Sequence, residues 1–140
     1  MNARFFTLLA SAFATTLQAA SPKSPDPRIM IELIADTPQI VTPTGVGVDA
    51  KGRVLVIESH THFRPKDYEG PERDRVLMFE IPANGKAKRT IFFEGLLMGM
   101  DLAVSKDGWV YLAERSRILR VRDTNGDGSA DKTEDVIVMK

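Results

Sequence analysis

Residues 47–59 read GVDAKGRVLVIES, and residues 103–115 read AVSKDGWVYLAER. The two stretches match at a glycine, a valine and a glutamate: Gly52 with Gly108, Val54 with Val110, and Glu58 with Glu114. The matched positions are 108 − 52 = 56 residues apart. Each stretch has a turn glycine between two apolar runs, which predicts two strands joined by a tight hairpin. The chain therefore contains the same strand pair twice.

A second pair of stretches repeats at a different spacing. RVLMFE (75–80) aligns with RILRVR (117–122), which begins 117 − 75 = 42 residues later. The two offsets differ by 14 residues, so the first copy carries an insertion. It lies in HTHFRPKDYEGPERD (60–74), whose place in the second copy is taken by Ser116 alone.

Short apolar runs bounded by Gly, Pro, Asn and Asp account for most of the chain after residue 27, and no run has a helical period. The strand-like runs are RIMIELIA (28–35), GVGVDA (45–50), RVLVIES (53–59), RVLMFEI (75–81), RTIFFEG (89–95), MDLAVS (100–105), WVYLAER (109–115), RILRVR (117–122) and DVIVM (135–139). Lys51-Gly52 and Asp107-Gly108 supply hairpin turns between them. These features predict an all-β chain of antiparallel strands.

A repeat of about 42 residues with four strands has the size of one blade of a β-propeller. The prediction is an incomplete propeller over residues 29–140, with blades at about 45–95 and 102–140. A small β-sandwich is the alternative. Because propellers close with about four to eight blades, we expect a fragment of a longer protein or a chain that associates with copies of itself.

Residues 1–20, MNARFFTLLASAFATTLQAA, predict a secretory signal peptide, with Arg4 before a short apolar run and small residues at its end. A membrane anchor is the alternative, but a span needs about 20 apolar residues, and threonines and a serine interrupt this run. We therefore expect export to the periplasm or cell envelope. Residues 21–28 contain three prolines and predict an extended lead-in.

The overall composition excludes several classes of function. The chain has 19 basic and 19 acidic residues, which does not favour a nucleic-acid partner. It has no cysteine, which excludes disulfides, thiolate metal sites, a cysteine nucleophile and a CxxCH haem attachment site. Glu58 and Glu114 are interpreted as charges at the rim of the blades, and the lining of a central channel is the alternative.

The stretch DTNGDGSADKTE (123–134) satisfies the spacing of a calcium-binding loop. Its predicted metal ligands are Asp123, Asn125, Asp127, Ser129, Asp131 and Glu134. Hard oxygen ligands at this spacing suit Ca²⁺. The flanking runs are strand-like, which argues against an EF-hand and for a structural calcium loop between two strands. A solvated hairpin that binds no ion is the alternative.

The insertion contains the chain's only two histidines, His60 and His62. On an extended strand, residues two apart point to the same side, so the two histidines and Arg64 are expected to form one cluster. Such a cluster would take a proton, bind a metal or hold an anionic quinone or substrate. His60 and His62 are thus candidate catalytic residues and Arg64 is a candidate cofactor ligand. An ordinary polar surface loop is the alternative.

The repeats, the ESHTHF…DYEGP insertion and the segment GLLMGMDLAVSKDGWVY together resemble the N-terminal part of the membrane-bound dehydrogenases of Planctomycetes and Verrucomicrobia. The resemblance covers about residues 29–140. It implies a secreted propeller similar to quinoprotein sugar dehydrogenases, with a sugar or another alcohol as substrate and pyrroloquinoline quinone (PQQ) and Ca²⁺ as cofactors. In that family, a cytochrome c region follows.

Two functions are consistent with these observations. The first is an N-terminal fragment of a dehydrogenase-like propeller, expected to be inactive alone because a quinone site would need residues from several blades. The second is a non-enzymatic, calcium-stabilised module that uses the histidine-containing insertion to bind a polysaccharide or a protein.

Overall fold

The computed structural model of the protein describes residues 22–139. The predicted signal peptide lies outside these residues. Every regular element within them is a β-strand. None of the described residues belongs to a helix with the length and apolar character needed to cross a membrane.

The strands form two antiparallel sheets of four strands each, and in both sheets the spatial order is the order along the chain. The first sheet contains β1 (Pro43–Val48), β2 (Val54–Glu58), β3 (Asp74–Glu80) and β4 (Lys88–Leu96). The second sheet contains β5 (Asp101–Val104), β6 (Val110–Ala113), β7 (Arg117–Arg122) and β8 (Lys132–Val138). This arrangement confirms the prediction of an all-β chain with two four-stranded antiparallel blades.

The first of the nine strand-like runs is the exception. Residues 28–35 form no strand, although Ile29, Ile31 and Leu33 alternate as a half-buried strand would require. These three side chains are exposed. The described residues divide into two units between Leu33 and Ile34. In the first unit, the described residues contain one turn, in which the amide of Ile29 donates to the carbonyl of Asp26 at 3.1 Å.

The two sheets repeat each other in their irregularities as well as in their strands. The β3–β4 register shifts between Val76 and Leu77, and the β7–β8 register shifts at the matching positions, Ile118 and Leu119. A residue with positive φ precedes each blade, and both are non-glycine: Thr42 (44°) and Met98 (55°), again 98 − 42 = 56 residues apart. Non-glycine residues seldom adopt this conformation, so the matching pair confirms the repeat at the level of the backbone.

The main core lies between the two sheets. β2 and β3 contribute Leu55, Ile57, Val76 and Met78, while β6 and β7 contribute Val110, Leu112, Leu119 and Val121. At one edge of the two sheets, their first strands, β1 and β5, lie side by side. Gly47 permits this approach, because a Cβ there would lie 2.6 Å from Cδ1 of Leu102.

The sheets pack head to tail. Val110 and Leu112 of the second sheet face the shared core, but their equivalents in the first sheet, Val54 and Val56, lie in a second cluster on the opposite face. That second cluster also contains Leu77 and Phe79 and is partly covered by Ala35, Ile40 and Ala87. Two blades that present opposite faces to each other are related by rotation, as successive blades are in a propeller.

Candidate functional site

Because the strands alternate in direction, the connections between them collect at two ends of the sheets. The insertion between β2 and β3 (residues 59–73) and the connection between the blades (residues 97–100) share one end, here called the insertion end. The β1–β2 and β5–β6 turns and the loops 81–87 and 123–131 share the other, here called the hairpin end. The histidines and the predicted calcium loop therefore lie at opposite ends.

A buried carboxylate fastens the insertion end together. Asp74 is fully buried and accepts hydrogen bonds from the amides of His60 (2.5 Å), Thr61 (2.7 Å) and Gly99 (2.7 Å). The hydroxyl of Thr61 also donates to it at 2.9 Å, and the same hydroxyl accepts from the amide of Met98 at 2.7 Å. Asp74 thus joins the start of the insertion to the connection between the blades.

A second buried carboxylate lies next to it. Glu58 is 1 % exposed, so the expectation of a rim charge is wrong. Its Oε1 accepts from the amide of Val41 (3.0 Å), and its Oε2 accepts from Arg75 through Nε (3.0 Å) and Nη2 (2.5 Å). Burial raises the pKa of Glu58, but the hydrogen bonds from His60, Arg75 and Val41 outweigh it and hold that pKa below its ordinary value. Glu58 is therefore ionised at neutral pH.

His60 connects Glu58 to the insertion. Its Nε2 lies 2.9 Å from Oε2 of Glu58, and its Nδ1 is hydrogen-bonded to the hydroxyl of Tyr68. Because ionised Glu58 can only accept, Nε2 must carry a proton, and in the neutral ring Nδ1 then accepts from Tyr68. The contacts form a continuous hydrogen-bonded path from the half-buried phenol to the buried glutamate.

Gly70 makes room for that path. A Cβ at this position would overlap the hydroxyl oxygen and the ring carbons of Tyr68. The glycine therefore allows the backbone of the insertion to pass directly beside the phenol.

The other two predicted residues of the insertion do not join His60 as expected. The insertion contains no strand, so alternation does not apply, and His60 is buried while His62 is exposed. Arg64 braces the loop, donating to the carbonyls of His60 (3.4 Å) and Pro71 (2.9 Å). Its guanidinium carbon lies 5.4 Å from the centre of the Tyr68 ring.

The predicted calcium loop is closed by its own hydrogen bonds. Asp123 accepts from the amides of Gly126 (2.6 Å) and Gly128 (2.9 Å). Asp131 accepts from the amide (2.9 Å) and hydroxyl (2.7 Å) of Thr124, and these hydrogen bonds lower its pKa. Each of these carboxylates is thus engaged within the loop.

The side chains of the remaining predicted ligands also have partners. Asp127 accepts from the amide of Ser129 at 2.8 Å and from the side chain of Asn125 at 3.0 Å. Glu134 lies in β8 and pairs with Arg120 at 2.6 Å and Lys132 at 3.0 Å. No three acidic or histidine side chains converge as a metal site within residues 22–139. The six residues therefore do not fit a single cation in this arrangement, and calcium binding stays a prediction.

The sequence did not predict the roles of Tyr68 and Asp74 at the insertion end, nor the burial of Glu58. A signal existed only for Glu58, whose match with Glu114 marks a position that both blades use. Tyr68 and Asp74 lie 8 and 14 residues from His60, their hydrogen-bonding partner. Local patterns do not encode such contacts.

Comparisons with known proteins place the chain in a family but give it no named relative. No curated protein and no solved structure matches it. A family model described as a domain of unknown function (DUF7133) matches residues 24–138, which include all eight strands. The chain belongs to the DUF7133 family.

Proposed function

We propose that this chain forms two blades of a larger, exported β-propeller of the dehydrogenase-like kind, which oxidises a sugar or another alcohol. The chain is expected to be inactive alone, because such a site takes residues from several blades. The observation that carries the proposal is the head-to-tail packing of the two sheets. The oxidation reaction and the export rest on the sequence resemblance and the predicted signal peptide.

A head-to-tail interface joins two different surfaces, so it propagates until rotation closes a ring. The first blade buries Leu55, Ile57, Val76 and Met78 against the second. The equivalent face of the second blade carries Tyr111, Ala113, Ile118 and Arg120, which are half-buried. That face is the surface on which a further blade would pack.

The insertion end is where the chain would contribute to a site. The second blade has an equivalent buried glutamate, Glu114, but Ser116 alone stands in place of the insertion. The repeated glutamate therefore stabilises the sheet in both blades, whereas His60 and Tyr68 are present only in the first copy. A substrate hydroxyl bonded to Tyr68 would pass its proton through the phenol to His60, and Glu58 would stabilise the resulting imidazolium.

The proposed cofactors are PQQ and calcium, and the quinone would accept the hydride when bound. Among the described residues, no three acidic or histidine side chains converge as a metal site. The guanidinium of Arg64 is held by two carbonyls of the insertion, and the acids of loop 123–131 accept hydrogen bonds from backbone amides and from side chains of the same loop. We therefore assign no residue of this chain to the quinone.

The coding DNA tests the proposal. We expect the reading frame, directly or after a frameshift, to continue into more GVxVDxxGRVxV units and a CxxCH motif. A stop codon followed by unrelated sequence, together with a monomeric chain in light scattering, would contradict it.

One observation favours the binding module as a second candidate. Phe63, in the insertion, is 89 % exposed and lies beside exposed His62. An exposed aromatic ring provides an apolar face for a sugar or a protein side chain. If the module binds polysaccharide through this ring, Phe63→Ala will abolish retardation in affinity electrophoresis, while Phe63→Tyr will retain it.

A further inference from the structure

A cavity of about 210 Å³ lies between the two blades at the hairpin end. It is here called the interblade cavity. It is bounded by the β1–β2 turn, the β5–β6 turn and the start of loop 123–131. It lies at the opposite end from His60 and does not depend on the proposed function.

The walls of the interblade cavity that reach into the sheets are apolar. Leu55 and Phe92 come from the first blade, and Val104 and Val110 come from the second. Leu55, Phe92 and Val110 are at most 4 % exposed. An apolar cavity of about 150 Å³ accommodates benzene, so the interblade cavity has room for one ring and a small substituent.

The charged side chains that line the interblade cavity are mostly basic. They comprise four basic side chains and two acidic ones: Lys51, Arg53, Lys106, Arg122, Asp49 and Asp123. Both acids are already occupied. Asp49 accepts from the amides of Lys51 and Arg53 at 2.9 Å each and from Nε of Arg53 at 2.6 Å. Asp123 accepts from two amides of its own loop.

The basic groups are less engaged. Among the ion pairs of residues 22–139, Lys51, Lys106 and Arg122 take part in none. Arg53 binds Asp49 through Nε, and its two terminal nitrogens make no hydrogen bond among the described residues. The interblade cavity thus combines an apolar interior with several cationic donors whose natural partner is a carboxylate.

We propose that the interblade cavity binds a small organic anion with an apolar body, of the aromatic monocarboxylate class. The ring contacts Leu55, Phe92, Val104 and Val110, and the carboxylate accepts hydrogen bonds from Arg122 and Arg53. Lys106 and Lys51 add long-range attraction at the rim.

The test is a titration of the full chain with benzoate, followed by amide NMR shifts and calorimetry. Binding should move the amides of residues 51–53, 105–108 and 122–126 and leave those of the insertion unchanged. Benzyl alcohol has the same ring without the charge, and inorganic phosphate has charge without the ring. Benzyl alcohol should bind at least about tenfold more weakly, since a charge-assisted hydrogen bond is worth about 1.5–3 kcal/mol. Phosphate should also bind at least about tenfold more weakly, since it lacks the apolar ring, and burial of such a ring is worth about 1.5–3 kcal/mol.

Two variants and one control decide the outcome. Arg122→Gln and Lys106→Gln should each weaken benzoate binding, Arg122→Gln by about tenfold or more. Lys106 is exposed, so its variant will fold even if Arg122→Gln does not. Arg115→Gln, an exposed arginine at the insertion end, should change nothing. The proposal is overturned if folded chain shows no shifts with benzoate, if benzyl alcohol binds equally well, or if Lys106→Gln and Arg115→Gln have equal effects.

Discussion

Glu58 and Glu114 occupy the same place in successive blades, and each accepts a hydrogen bond from the backbone amide 17 residues earlier. The amide donors are those of Val41 (3.0 Å) and Leu97 (2.7 Å). Each glutamate also pairs with the arginine that begins or nearly begins the third strand of its blade, Arg75 or Arg117. The glutamate therefore joins the segment that enters each blade to the middle of its sheet.

Removing the charge of Glu58 should cost more than removing that of Glu114. Glu58→Gln removes the buried carboxylate from its pair with half-buried Arg75, which keeps only Glu94 at 4.0 Å, and breaking a buried pair costs about 3–5 kcal/mol. Arg117 is more exposed, at 33 % against 17 % for Arg75, so Glu114→Gln should cost about 1–3 kcal/mol. Urea denaturation of the two variants measures the difference. An equal or larger loss of unfolding free energy in Glu114→Gln would show that the contacts of Glu58 with His60 and Arg75 give it no additional stabilising effect.

The stability of the fold should decrease in acid. The pKa of Glu58 is lowered in the folded state from its ordinary value of 4.5. The stability that this group contributes is therefore fully present above pH 4.5 and is lost as the pH falls through the folded pKa. Denaturation midpoints measured from pH 7 to about pH 3 should decrease once the pH is below 4.5. The midpoint of Glu58→Gln should decrease less steeply over the same range. Parallel profiles for the two proteins would contradict the assignment.

Gly70→Ala should separate Tyr68 from His60. The added Cβ overlaps the phenol, so the ring must move and the hydrogen bond is lost. Loss of that bond should cost about 1–2 kcal/mol, the same as Tyr68→Phe. In the double variant the two losses should not add, because they remove the same contact. Additive losses would mean that Gly70 serves another purpose. His60 ring NMR signals provide a direct check.

The chain has a single tryptophan, and it reports on the second blade. Trp109 is 7 % exposed, and the guanidinium carbon of Arg120 lies 4.3 Å from its ring centre. Arg120→Gln removes this contact and the pair with Glu134, so we expect a change in tryptophan emission. Arg115→Gln, at the opposite end of the blade, is the control. An unchanged spectrum in Arg120→Gln would place the ring elsewhere.

Calcium and loop stability can be separated at loop 123–131. Asp123→Ala removes the acceptor for two amides and should cost about 1–2 kcal/mol even in the presence of a chelator. If the loop binds Ca²⁺, added calcium will raise the melting temperature of the native chain, and Asp127→Ala will abolish that increase. No response to calcium in the native chain would remove the calcium prediction and leave the effect of Asp123→Ala intact.

The strands could be predicted because each carries its own evidence. GVDAKGRVLVIES contains both the apolar alternation and the turn glycine of its hairpin, and the second copy repeats them. RIMIELIA has the same alternation, yet it forms no strand. Alternation reports that a segment suits a half-buried sheet, but it does not report whether another strand is available to pair with it.

The candidate site was harder to predict because its contacts are long-range. His60 was identified from its residue type, but its burial depends on Asp74, Tyr68 and Glu58, which approach it only after the insertion folds back. DTNGDGSADKTE matches a calcium loop letter by letter. Its last residue, Glu134, is drawn into β8 by cross-strand pairing with Arg120. The register of the β7–β8 pair therefore sets the position of Glu134, which the motif alone does not predict.

The placement of Asp74 has an evolutionary consequence. One carboxylate holds both ends of the insertion, since His60 and Thr61 bind it where the insertion starts and Asp74 itself begins β3 where the insertion stops. The residues between these anchor points form a cassette that can lengthen, shorten or change its chemistry while the sheet keeps its register. A family that retains the anchor could therefore acquire different specificities by exchanging that cassette alone.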